Sequence, residues 1–153
     1  NHLLIAGGNE NEFLDLGLKK REGIILLGSL SQNELAKYLA GAKLTVIPSK
    51  KEPFGIIVAE ALCCGSPVVA TNVGGIPEVI ALAKRNFSEE EEKVFNAWVK
   101  LVEPETGSIR AGLNKIMENY SDLEEYIKLI PKVRKQFSWS KRLNQFHNIL
   151  AES

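Results

Sequence analysis

Two carboxylates are the residues of this chain best suited to chemistry: Glu52 and Glu60, with seven residues between them. Glu60 is the only charged residue between Pro53 and Pro77, in a run dominated by Ile, Val, Ala, Leu and Cys. Desolvating an unpaired carboxylate is expensive, so a solitary acid in an apolar helix marks a site. Paired acids first suggest glycosidase chemistry. Eight residues of helical rise separate these two by about 12 Å along the axis. Glycosidase carboxyl groups sit ~5–9.5 Å apart, which disfavours that chemistry, although side-chain direction can narrow the gap. His2 and His147 have no Ser/Asp or Cys arrangement pointing at them, which disfavours a hydrolase triad. Two distant histidines and no Cys-x-x-Cys give metal ligation no support.

The elements that must position these acids follow from local signals. Pro53 suits a first helical position. Phe54, Gly55, Ile56 and Ile57 would then form the first turn, whose free N–H groups and positive dipole end suit an anion. Gly55, lacking a Cβ, would let a ligand approach the backbone. This buried helix should run through Glu60 and Cys64 and stop at Gly65, with Ser66-Pro67 beyond. Residues 67–71 read as a buried strand, and Asn72-Val73-Gly74-Gly75 as a turn into the helix that opens at Ile76-Pro77-Glu78. Thr71, Gly74 and Gly75 read as turn and packing residues, and Lys50 and Lys51 as solvated.

Further strands are expected at 2–6 (buried), 24–27, 44–47 and 100–102. Helices are expected at 9–20, 108–120, 121–134 and 138–151. A capping box at Ser31/Glu34 should open a helix with Leu35, Tyr38 and Leu39 on one face, and Ser121/Glu124 supplies another. Residues 88–92 are a helix start with acids placed for the dipole, read as a solvated helical segment. Strands alternating with helices indicate βαβ units and a parallel sheet. Gly7-Gly8 lacks GxGxxG, so it carries no dinucleotide signal.

The 153 residues suit one domain with a real core. Nineteen basic and nineteen acidic residues cancel, which removes any general electrostatic case for nucleic acid or an anionic membrane. Cys63 and Cys64 read as reduced core thiols, and no signal peptide opens the chain, so a cytoplasmic protein is expected.

Taken with their neighbours, Glu52 and Glu60 carry a resemblance. Phe54-Gly55, Glu60-Ala61, Gly65, Pro67-Val68-Val69-Ala70-Thr71, Gly74-Gly75 and Glu78-Val79-Ile80 follow in order. Together they resemble the donor-binding signature of the retaining GT-B glycosyltransferases of family 4, the group 1 enzymes. Leu3-Leu4-Ile5-Ala6-Gly7, Leu27-Gly28-Ser29-Leu30-Ser31 and Leu44-Thr45-Val46-Ile47-Pro48-Ser49 resemble the family's preceding strands, and Phe137-Ser138-Trp139-Ser140 its closing helix. Glu-x7-Glu alone is a weak signal; with these flanks in order it is specific.

The resemblance implies an α/β, Rossmann-like parallel sheet flanked by helices, the C-terminal half of a GT-B enzyme without its first strand–helix unit. Residues 1–153 would then be the nucleotide-sugar-binding domain, with an insertion at 82–97 and a closing helix at 138–151. It implies transfer of a hexose from a UDP-, GDP- or ADP-sugar to a sugar, lipid-linked or small-molecule acceptor, with retention and without metal or other cofactor. Glu52 would be the catalytic carboxylate, hydrogen-bonding the donor sugar and stabilising positive charge at the anomeric centre. Glu60 would hold the ribose hydroxyls, and the backbone of Leu30 the base. Phe54, Gly55, Ile56 and Ile57 would bind the diphosphate or sugar through the helix mouth.

The family's diphosphate-clamping Arg and Lys lie upstream of this chain's first strand, as does the acceptor-binding domain with its active-site His. A piece of a larger enzyme is therefore expected, partnered by that N-terminal domain and through it peripherally by a membrane. Alone it should bind donor weakly and not turn over. Without the first strand, the sheet should show a gap or a re-paired order. The rival classes are a non-catalytic nucleotide-binding regulatory domain and a GT-B epimerase or phosphorylase.

Overall fold

The computed structural model describes residues 2–8, 10–15, 22–118, 120 and 123–138. The expected helix at 138–151, with Trp139, Ser140 and His147, lies outside the described residues apart from Ser138. So do Ser121 and Asp122 of the second expected capping box. The chain forms two compact units, divided between Tyr38 and Leu39.

In the first unit, strand β1 (Leu3–Ala6) pairs in parallel with β2 (Ile24–Gly28), and helix α1 (Glu10–Asp15) lies between them in sequence. The expected strand at 2–6 forms but is not buried: Leu3 is 53% and Leu4 41% exposed. Two strands alone have little to cover either face. Ser31 opens α2 (Gln32–Gly41) with the expected capping box. The Glu34 carboxylate accepts from the Ser31 N–H at 2.9 Å, and the Glu34 N–H donates back to the Ser31 hydroxyl at 3.3 Å. Of the expected apolar face only Leu39 is buried, whereas Tyr38 is exposed.

The second unit holds a parallel sheet of order β3 (Thr45–Ile47), β4 (Val68–Thr71), β5 (Val99–Val102). All four residues of the central β4 are buried, which is why Val68-Val69-Ala70 reads as a continuous apolar run rather than an alternating one. No ladder joins this sheet to β1–β2 among the described residues.

Helix α3 (Ile56–Cys64) packs on β3, β4, α4 (Ile76–Ala83) and α8 (Ile130–Phe137). Helix α6 (Thr106–Glu118) covers β4 and β5; Gly112 lies so close that a Cβ there would meet Val69 and Val102 at 3.1 Å. The helix expected over 121–134 is two: α7 (Leu123–Ile127) and α8. Pro131 sits in the first turn of α8, where its missing N–H costs nothing, whereas in a continuous helix it would clash with the preceding turn.

Helix α5 (Glu89–Trp98) corrects the expectation of a solvated segment. Its acidic face is open to water, but Phe95 and Trp98 are buried, and Phe95 meets Phe87 edge-on with ring centroids 5.4 Å apart. The Glu91 carboxylate accepts from the Ser88 N–H at 3.0 Å, and the Glu91 N–H donates to the Ser88 hydroxyl. Glu91 also pairs with Lys132 of α8. Ser88→Ala should therefore lower stability by about 1 kcal/mol, read as an earlier urea midpoint at unchanged slope.

Candidate functional site

The second unit gathers the candidate residues at the carboxyl end of β3. The helix does not begin at Pro53 as expected. It begins at Ile56, and Gly55 is its N-cap with φ 67°. Pro53 and Phe54 form a bend instead, and Phe54, 73% exposed, projects into solvent. The cause is Glu52. Its Oε1 accepts from the N–H of Gly55 at 3.1 Å and of Phe54 at 3.4 Å, so the carboxylate caps its own loop and stops the helix from starting early. Glu52 is therefore outside the helix, and a helical rise does not measure its distance from Glu60.

Gly55 also has a different reason from the one expected. Its left-handed conformation excludes most side chains, and a Cβ there would lie 3.3 Å from the Ile76 backbone and 3.2 Å from the Val79 side chain. The glycine admits α4. The free helix-mouth donors are accordingly those of Ile56 and Ile57. Val58 and Ala59 N–H both donate to the Gly55 carbonyl, at 3.0 and 3.2 Å, and Gly55 N–H is taken by Glu52. No acceptor among the described residues takes the N–H of Ile56 or Ile57.

Glu60 lies on the open face of α3. Val58, Ala61 and Leu62 form the buried face, while Ile57, Glu60, Cys63 and Cys64 are half-buried and Ile56 is exposed, so the helix is not buried all round. Glu60 is four residues past Ile56, about 6 Å of rise, and helical side chains lean toward the N-terminus. Glu60 and Ile56 therefore share one face of α3. No donor or cation among the described residues engages it.

Burial, together with the nearby Glu60 charge, holds the Cys63 and Cys64 thiols above their usual range, and Arg134 opposes this. The Arg134 guanidinium donates to the Cys63 carbonyl at 2.7 Å, closing the far end of α3.

Glu52, Phe54, Gly55, Ile56, Ile57 and Glu60 are thus one loop and helix of the second unit. Leu30, half-buried on the β2–α2 loop, belongs to the first unit. Lys50 and Lys51 are exposed. Reading the residues one stretch at a time missed how Gly74-Gly75 supports the loop; the paired glycines were the available signal. Their φ and spacing let the Glu52 carbonyl come within 2.9 Å of the Gly75 N–H.

Parallel sheets flanked by helices define an α/β protein whose structural neighbours are GT-B glycosyltransferases. Sucrose-phosphate synthase from Thermosynechococcus elongatus superposes with a TM-score of 0.70 at 23% identity, over 99% of this chain and 39% of that one. An Anabaena protein solved in complex with UDP-glucose does so with a TM-score of 0.63 at 21% identity, over 99% of this chain and 41% of that one.

The chain belongs to the glycosyl transferases of group 1, whose family profile matches residues 1–136. An uncharacterised glycosyltransferase of Methanocaldococcus jannaschii is 30% identical over 152 residues, 96% of this chain. The chain spans 36% of that relative's length.

Proposed function

We propose that this chain is the donor-binding, C-terminal half of a retaining family 4 glycosyltransferase that moves a hexose from a nucleotide-diphosphate sugar to a sugar, lipid-linked or small-molecule acceptor. The single observation that carries this reading is the helix mouth. Two unclaimed N–H groups, on Ile56 and Ile57, lie between a loop carboxylate, Glu52, and a helical carboxylate without a partner among the described residues, Glu60. A nucleotide-diphosphate sugar has the complementary order: hydroxyls, dianion, hydroxyls. The Anabaena neighbour with UDP-glucose supports a donor of this class.

In this reading the diphosphate meets the Ile56 and Ile57 N–H groups, which are aligned with the helix dipole. Glu60 accepts from the ribose hydroxyls. The Glu52 oxygen not used by its own loop faces the sugar and stabilises positive charge as the glycosyl–phosphate bond breaks. Leu30 supplies backbone contacts to the base. The remaining phosphate contacts come from the donor domain's first strand–helix unit, and the acceptor from an N-terminal domain of the same enzyme, which can also associate peripherally with a membrane. The enzyme is cytoplasmic and needs no metal or other cofactor, and this chain alone is inactive.

Glu60→Gln in the full-length protein tests the ribose assignment. Exchanging a charged acceptor for a neutral one should lower kcat/KM by about 5- to 150-fold, ~1–3 kcal/mol, and most of the change should appear in donor KM. Unaltered donor KM and kcat would remove Glu60 from the site. Calorimetric titration with UDP, GDP and ADP identifies the base.

A further inference from the structure

We propose that the turn at residues 71–75, after β4, is the positioning device for Glu52; the proposal rests on the catalytic reading of Glu52 given above. Among the described residues the Glu52 carboxylate is bound only by its own loop, through Phe54 and Gly55 N–H, so its aim is set by the loop's backbone. That backbone is laid directly on the turn. Gly75 N–H donates to the Glu52 carbonyl at 2.9 Å. A Cβ on Gly74, whose φ is 52°, would fall 2.0 Å from the same carbonyl oxygen. A Cβ on Gly75 would fall 2.7 Å from the Pro53 oxygen and 3.1 Å from Phe54. Upstream, the buried Thr71 hydroxyl donates to the Ser49 carbonyl at 2.6 Å.

Backbone therefore meets backbone from Glu52 to Phe54, and the Thr71 hydroxyl ties the start of the loop at Ser49. Glu60 is carried by α3 and makes none of these contacts, so the turn acts on one acid and not on the other. A shift of the loop by a few tenths of an ångström should therefore move the catalytic carboxylate more than it moves Glu60. Turnover should suffer and donor affinity should not.

The test is Gly75→Ala in the full-length protein. Gly75 has φ −80°, which alanine adopts freely, so the added methyl perturbs only by pressing on Pro53 and Phe54. Release of nucleoside diphosphate from UDP-, GDP- and ADP-glucose is followed for the wild type, Gly75→Ala, Glu52→Gln and the double variant. Gly107→Ala is the control, because a Cβ there meets nothing within 4 Å.

The expected result is a kcat lowered about 10- to 100-fold by Gly75→Ala, with donor KM within about threefold of wild type and a somewhat lowered melting temperature, since the methyl meets backbone at 2.7 Å. In the Glu52→Gln background the same substitution should cost little more, since both act through one group. Equal additional loss in both backgrounds, or an unchanged kcat, overturns the positioning role while Glu52 stands. Wild-type enzyme inactive on all three donors, or indifference to Glu52→Gln, overturns the underlying functional reading and this proposal with it. If Gly75→Ala does not fold, Thr71→Val, which keeps the side-chain shape and deletes the bond to Ser49, is put through the same comparison.

Discussion

Glu52→Gln in the full-length enzyme should lower kcat by about 10²- to 10³-fold, ~3–4 kcal/mol of transition-state stabilisation, while donor KM stays near its wild-type value. The glutamine oxygen still accepts from Gly55 N–H, which the Glu52 Oε1 does at 3.1 Å, so the loop keeps its conformation. What is lost is the negative charge. Charge matters little to a ground-state sugar hydroxyl and much to an anomeric carbon from which a diphosphate is departing. The loss therefore belongs in kcat. Steady-state kinetics with saturating donor would decide it. A loss confined to KM would mean that Glu52 only binds, and no loss in either constant would remove it from the mechanism.

Trp98→Ala should destabilise the second unit by about 3–5 kcal/mol, a large share of the ~5–15 kcal/mol that holds a domain together. Trp98 is 2% exposed at the last turn of α5. Its ring stands edge-on to Tyr120 at 5.6 Å and tilted over Tyr126 at 6.1 Å, and Phe95 approaches Tyr126 at 6.3 Å. The Tyr126 hydroxyl donates to the Ser66 carbonyl at 3.0 Å, between α3 and β4, so this aromatic cluster reaches the element that carries Glu60. Burial holds the Tyr126 phenol far above its usual pKa, so it stays a neutral donor across the physiological range. Urea unfolding followed by circular dichroism gives the value. A cost below about 1 kcal/mol would show that α5 contributes little to the core.

Several features could be read directly from residue order. The run from Val68 to Ala70 could only be a buried strand, Gly65 followed by Ser66-Pro67 could only end a helix, and Ser31/Glu34 and Ser88/Glu91 set their own helix starts. These are decided within a few residues of the chain, and local chemistry is enough. The family was legible for a related reason: the signature around Glu52 and Glu60 is short and continuous. Reading by propensity failed where a specific contact outweighed it. Pro53 is an acceptable first helical residue, yet Glu52 takes the Gly55 N–H and the helix waits until Ile56. Residues 88–92 read as a solvated start, yet the opposite face of that helix is core.

The amino-acid order by itself determined the succession of strands and helices, the family, and which two acids are candidates for chemistry, because periodicity, caps and short motifs are properties of neighbours. Only the tertiary structure decided how the Glu52 loop is laid on the turn after β4, which face of α5 is covered and how the far end of α3 is closed. Such contacts join residues 22, 60 and 71 positions apart, Thr71 to Ser49, Tyr126 to Ser66 and Arg134 to Cys63. Closing such loops costs entropy that no local preference records, and packing of the whole unit offsets it.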